Sequence, residues 1–158
     1  MDEIQVIKAD APKVAAAADG GTQRTCFVIM PFSETTKDHT EKYWTEFYDK
    51  FLRPAISAQG FAVRRSEAKT GKISKDIVQD LAYGDLVFAV LTDNNPSVWY
   101  ELGIRHTSRL GTVMAIQKGQ KPAFDVQDYG IIFYDLTASS LPSTPKHELR
   151  WNATAPVR

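Results

Sequence analysis

A single cysteine, Cys26, stands among 158 residues. One thiol excludes an internal disulfide and any zinc site built on several cysteines. Long apolar runs are missing too: none approaches the roughly 20 residues that cross a bilayer. Neither charge is in excess, because nineteen Lys and Arg balance nineteen Asp and Glu. No global field therefore draws nucleic acid or anionic lipid. The opening stretch MDEIQVIKADAPKVAAAADGG lacks a basic start followed by a long apolar core, so it makes a poor secretion signal. A cytoplasmic protein that binds neither nucleic acid nor membrane is expected.

Familiar site signatures are also absent. No GxGxxG or GxxxxGK[ST] follows an apolar run, which removes the dinucleotide and P-loop fingerprints. No GxSxG nucleophile elbow exists, which removes a Ser-His-Asp hydrolase of that type. His39, His106 and His147 lie far apart without metal-ligand spacing and read as surface residues. Neither a metal nor a bound cofactor is expected.

What is present suits one soluble domain. The length allows a proper core, and 43% hydrophobic with 24% charged residues is ordinary. Residues 1–24, rich in Ala, Asp, Gly and Lys, read as a flexible leader with a marginal helix at 14–18. CFVIM, residues 26–30, is a continuous apolar strand stopped by Pro31. A helix from Thr40 to Gln59 is expected from Tyr43, Trp44, Phe47, Phe51, Leu52 and Ile56, with Gly60 behind it. FAVRR (61–65), LVFAVLT (86–92), TVMAIQ (112–117) and GIIFYDL (130–136) supply four more strands. Helices are expected over 73–83 and from Asn95-Pro96 to just before Gly111. Residues 118–129 read as loop with one helical turn, and 138–158 as a tail without periodicity. Alternation of this kind predicts an α/β fold. It should be a flavodoxin-like three-layer sandwich with a five-stranded parallel sheet, order 2-1-3-4-5, and helices on both faces.

Ligands of such sheets bind at the carboxyl ends of the strands. Those ends hold Pro31, Phe32 and Ser33, then Arg65, then Asp93 and Asn95. Glu101 falls in the second turn of a helix capped at Asn95, near the positive end of its dipole. Spacing alone also allows a solvated i,i+4 pair with Arg105. Trp99 and Tyr100 beside it are equally consistent with helix packing. Arg65 could meet a phosphate, and the turn at Ser33 could hold ribose or phosphate.

Four segments together carry a resemblance. They are CFVIMPF, the Trp/Tyr-bearing helix after it, GKISKDIVQDL, and LVFAVLTDNNPSVWYELGIRH. Over residues 25–136 the chain resembles the Toll/interleukin-receptor-like (TIR-like) nucleotide-processing domains of bacteria, relatives of the nucleoside 2-deoxyribosyltransferases. The resemblance implies that Glu101, in the ELG motif, is the carboxylate that works on an N-glycosidic bond. It implies a nucleotide pocket formed by the loops after the first and third strands, hence Pro31, Phe32, Ser33, Asp93, Asn95, Trp99 and Tyr100. A carboxylate beneath the anomeric carbon can stabilise or trap the cation formed there. Nicotinamide leaves NAD⁺ as a neutral molecule and needs no proton donor, so one carboxylate can suffice.

The chain also departs from the pattern. Val90 replaces a common acid of related sequences, and Asn95 stands where the deoxyribosyltransferases carry another. The expected activity is therefore cleavage of the nicotinamide–ribose bond of NAD⁺ as substrate, in a defence effector. A nucleoside or nucleotide N-glycosidase or deoxyribosyltransferase is the second reading, and a non-catalytic nucleotide-binding or assembly module the third. Pockets of TIR-like enzymes are often completed by a neighbouring subunit, which implies a homo-oligomer or an activating partner protein.

Overall fold

The computed structural model describes residues 23–66 and 74–137 and the backbone of Asn152–Ala153. Most of the expected leader and tail, His147 and the residues just after the second strand lie outside these. The apolar runs form β1 (Thr25–Ile29), β2 (Ala62–Arg65), β3 (Leu86–Val90), β4 (Thr112–Gln117) and β5 (Ile131–Tyr134). All five pair in parallel. Their order is β2-β1-β3-β4-β5, the doubly wound arrangement expected from the alternation of strands and helices. One addition stands outside that expectation. β6 (Asn152–Ala153), from the stretch read as an irregular tail, pairs antiparallel with Ile132 and Phe133. Two residues carry no period, so this edge could not be read from the pattern.

The continuous apolar runs are explained by what covers each face. Cys26, Val28 and Met30 point to one layer and Phe27 and Ile29 to the other, because side chains alternate along a strand. The first layer is α1 (Glu41–Phe47) and α2 (Arg53–Ser57), with Tyr43, Trp44, Phe47 and Ile56 buried, and Phe51 and Leu52 between the two helices. The second is α3 (Lys75–Tyr83) and α4 (Pro96–Ser108), whose Ile77, Leu81, Val98 and Leu102 are buried. Each fully buried side chain of this kind contributes about 1.5–3 kcal/mol. No helix among the described residues is long and apolar enough to cross a membrane.

The expected single helix after β1 is interrupted. Between α1 and α2, Tyr48–Leu52 form a π-helical turn in which the Arg53 N–H donates to the Tyr48 carbonyl, five residues back. Pro54 follows directly and lacks the N–H that would bind the residue-50 carbonyl, and its ring crowds that position. A widened turn accommodates both. The expected cap at Asn95 forms, accepting from Ser97 and Val98, while Thr40 and Ser74, expected inside their helices, cap them instead, accepting from the Tyr43 and Ile77 N–H groups.

Candidate functional site

Asn95 and Pro96 start α4 at the carboxyl end of β3, and one and a half turns later Glu101 turns inward. It is buried, with 6% of its surface exposed. Its neighbour across the gap is Ser66, which continues β2 by donating its N–H to the Val28 carbonyl. The Ser66 hydroxyl donates to Glu101 Oε1 at 3.0 Å. Burial pushes the Glu101 carboxyl above its ordinary range, and the serine hydroxyl pulls it partly back. Among the described residues its one hydrogen-bond donor is this neutral hydroxyl, and enclosing a carboxylate is costly to the fold.

The solvated pair with Arg105 does not form. Arg105 is fully buried and donates through Nη1 to the carbonyls of Leu81 and Gly84, and through Nη2 to those of Leu110 and Gly111. The guanidinium ties the end of α3 to the turn before β4. With four carbonyls around it, its role is structural. Ser66 was not among the residues singled out from sequence; its only signal there was its place at a strand end.

A cleft of about 800 Å³ runs around the β2 edge and reaches Ser66. Arg53, Arg64 and Arg65 line it together with Asp49, Asp76 and Asp80. The Arg65 guanidinium lies 5.2 Å from the centre of the Tyr48 ring, and Arg64 holds Asp80 at 2.7 Å. Arg65 thus borders the cleft as a half-buried charge.

Asp93 lies elsewhere. Asp93 and Asn94 have φ of 63° and 51°, the left-handed region that non-glycine residues seldom adopt. This reversal sends Asp93 to the α1 side of the sheet. There its Oδ2 accepts from the Thr35 hydroxyl at 2.6 Å and from His39 Nδ1 at 2.6 Å. Gln120 Nε2 donates to Oδ1 at 2.8 Å, and the Asp93 N–H donates back to Gln120 Oε1 at 2.7 Å. His39 is 5% exposed, which corrects its expected surface placement. It packs against Tyr43 and Trp44, which enclose the ring from the α1 side. His106 is exposed, as expected.

The strand-end residues thus divide into two clusters. Glu101 and Ser66 belong to the β2 end, beside the arginine-lined cleft. Asp93 belongs to a cavity of about 600 Å³ formed with Thr36, Asp38, His39, Gln117, Gln120 and Thr137. Pro31 is buried, while Phe32 and Ser33 are exposed on the loop after β1. Asn95 is held as the α4 cap, and Trp99 packs half-buried against the α3–α4 core. Tyr100 is 65% exposed on the outside of α4. Pro31, Phe32, Ser33, Asn95, Trp99 and Tyr100 line neither of these two cavities, and Glu101 reaches the first only through its bond to Ser66. Among the described residues no cluster of three or more metal-ligating side chains occurs.

No family model and no curated protein matches the chain.

Proposed function

We propose that the chain is an N-glycosidic bond hydrolase whose substrate is NAD⁺ and whose working carboxylate is Glu101. The observation that carries this reading is a carboxylate buried at the carboxyl end of a doubly wound sheet and held there by a serine hydroxyl. Perturbed carboxyl groups of this kind cluster at functional sites. The resemblance of NPSVWYELG to the TIR-like enzymes points to the same residue.

The chemistry suits one carboxylate. As the C1′–N bond breaks, both electrons pass to the pyridinium nitrogen, and nicotinamide leaves neutral. Positive charge builds on the ribose, and the free oxygen of Glu101 stabilises it or bonds to it. Water then adds its oxygen to C1′ and releases a proton, giving ADP-ribose. Ser66 holds Oε1, so the carboxylate is oriented before substrate arrives. Arg53 and Arg65 border the neighbouring cleft and offer counter-charge for the pyrophosphate. On this reading the protein works in the cytoplasm as a defence effector, and a second copy or an activating partner completes the pocket.

The test is direct. Purified protein at high concentration is incubated with NAD⁺, nucleoside monophosphates and deoxynucleosides, and released bases are identified by chromatography. Nicotinamide from NAD⁺, lost in Glu101→Gln, supports the reading. Base release from the other substrates alone would move the assignment to a nucleoside hydrolase or transferase. No release from any of them, at high protein concentration, leaves a nucleotide-binding or assembly module.

A further inference from the structure

The outward face of α4 bears no Lys, Arg, Asp or Glu. On a surface helix that face normally carries charged side chains. Here α1 presents Glu41 and Lys42 to solvent, and α3 presents Lys75 and Asp76. The charged residues of α4 are Glu101 and Arg105, and both are buried against the core. Pro96, Tyr100, Gly103 and Thr107 recur at four, three and four positions and so share the opposite side. Tyr100 is 65% exposed, and Trp99 and Ile104 flank this line half-buried. Beside it His106 stacks on Tyr129 at 5.4 Å, and burial holds its imidazole below the ordinary value. The Thr107 and Ser108 hydroxyls donate to the Ile104 carbonyl at 2.9 and 2.7 Å. Their hydrogen bonds are thus made within the helix and survive if the face is covered. Gly103 lies at the middle of the line. Inside a helix glycine is less favourable than alanine, because it gives up more conformational freedom. An added Cβ at Gly103 would meet nothing within 4 Å, so no contact among the described residues requires the glycine. A missing Cβ at the centre of an uncharged helix face does let another helix come close.

From this we infer that the outward face of α4 is a docking surface for a second copy of this chain, the two faces meeting across a two-fold axis. A two-fold sets the same patch against itself, so a charge at its centre would meet its like. An uncharged face avoids that repulsion, and it gives a charged partner nothing to pair with. Tyr100 of each copy packs at Gly103 of the other, an aromatic anchor of the kind that interface centres favour. One face of a helix about 20 Å long is small against the roughly 800 Å² per partner of a standard interface. The dimer should therefore be weak and form only as concentration rises. Glu101 and Arg105 lie on the far side of the helix, so pairing leaves the Glu101–Ser66 contact in place. The inference does not rest on the proposed hydrolase.

The test reads association rather than turnover, so this inference and the proposed hydrolase can fail separately. Sedimentation equilibrium of the full chain should show a reversible monomer–dimer equilibrium. Gly103→Ala should raise the melting temperature of dilute protein, since alanine favours the helix. The same variant should weaken the dimer by about tenfold or more, the effect of altering a central contact. Tyr100→Lys should leave only monomer, with the circular dichroism spectrum retained. Glu101→Gln should associate as the parent does. A parent that stays monomeric at the highest soluble concentration would overturn the inference. So would a dimer that Gly103→Ala and Tyr100→Lys form as readily as the parent, because the contact would then lie on another face.

Discussion

Glu101 shows how one side chain can be read in opposite ways until its neighbours are known. At i and i+4 it invited a surface pair with Arg105; inside the fold its partner is Ser66, thirty-five positions away. Glu101→Gln keeps the shape and the acceptor for Ser66 while removing the charge. Turnover of NAD⁺ should fall by about 10³-fold or more, as when a main electrostatic stabiliser is lost. Stability should move the other way. Because the folded carboxyl holds its proton to higher pH than the unfolded one, ionisation weakens the fold as pH rises through the folded value. The melting temperature of the Gln variant at neutral pH should thus equal or exceed that of the parent. The same direction fixes the pH profile. The acid limb of kcat/KM should lie above the ordinary carboxyl range, and Ser66→Ala should push it higher still. An acid limb in the ordinary range would show that Glu101 is not the titrating group. Cys26, whose thiol burial pushes up to about 12, should resist alkylation in the native protein and react once unfolded.

At the level of elements, α4 does three jobs with one sequence. Its start is fixed by the Asn95 cap, its apolar face closes the second layer of the core, and Arg105 anchors its last turns. Asn95→Ala should cost about 1 kcal/mol in denaturant unfolding, the usual value of a lost cap. Arg105→Lys, which keeps the charge but not the planar fork, leaves several buried carbonyls without donors. A loss of about 2–4 kcal/mol is expected, with the pH profile of any remaining activity unchanged. An Arg105→Lys variant as stable as the parent would remove the structural role assigned to this arginine. Gly111 belongs to the same anchor. Its φ is +93°, and an added Cβ would lie 2.9 Å from the Asp85 carbonyl oxygen and 3.3 Å from Arg105 Nη2. The backbone oxygen cannot give way, so Gly111→Ala should be strained by about 1–3 kcal/mol.

Across the whole molecule, the rim of the sheet carries two polar centres. The chain turns back at Asp93 and Asn94, so Asp93 faces the α1 layer while Glu101, eight residues later, faces the end of β2. The Glu101 side has no second acid in hydrogen-bond contact among the described residues. If a neighbouring subunit completes that pocket, specific activity should rise with protein concentration, or with any agent that clusters the chain. Full activity from a dilute monomer, shown by sedimentation at the assay concentration, would contradict this.

The sequence by itself determined the five parallel strands, their order and the helix cap at Asn95. These depend on short-range rules: apolar runs covered on both faces, amphipathic spacing, and Asn before Pro at a helix start. It also placed Glu101 one and a half turns into α4, since that needs only the cap at Asn95. The partners of the candidate residues were decided by tertiary structure. Ser66 meets Glu101, His39 meets Asp93, and Arg105 meets four carbonyls, each across at least five positions of chain and most across more than twenty. A side chain's protonation and role follow from what lies within about 3 Å of it. That neighbourhood is created when helices close over the two faces of the sheet, and no local pattern encodes it.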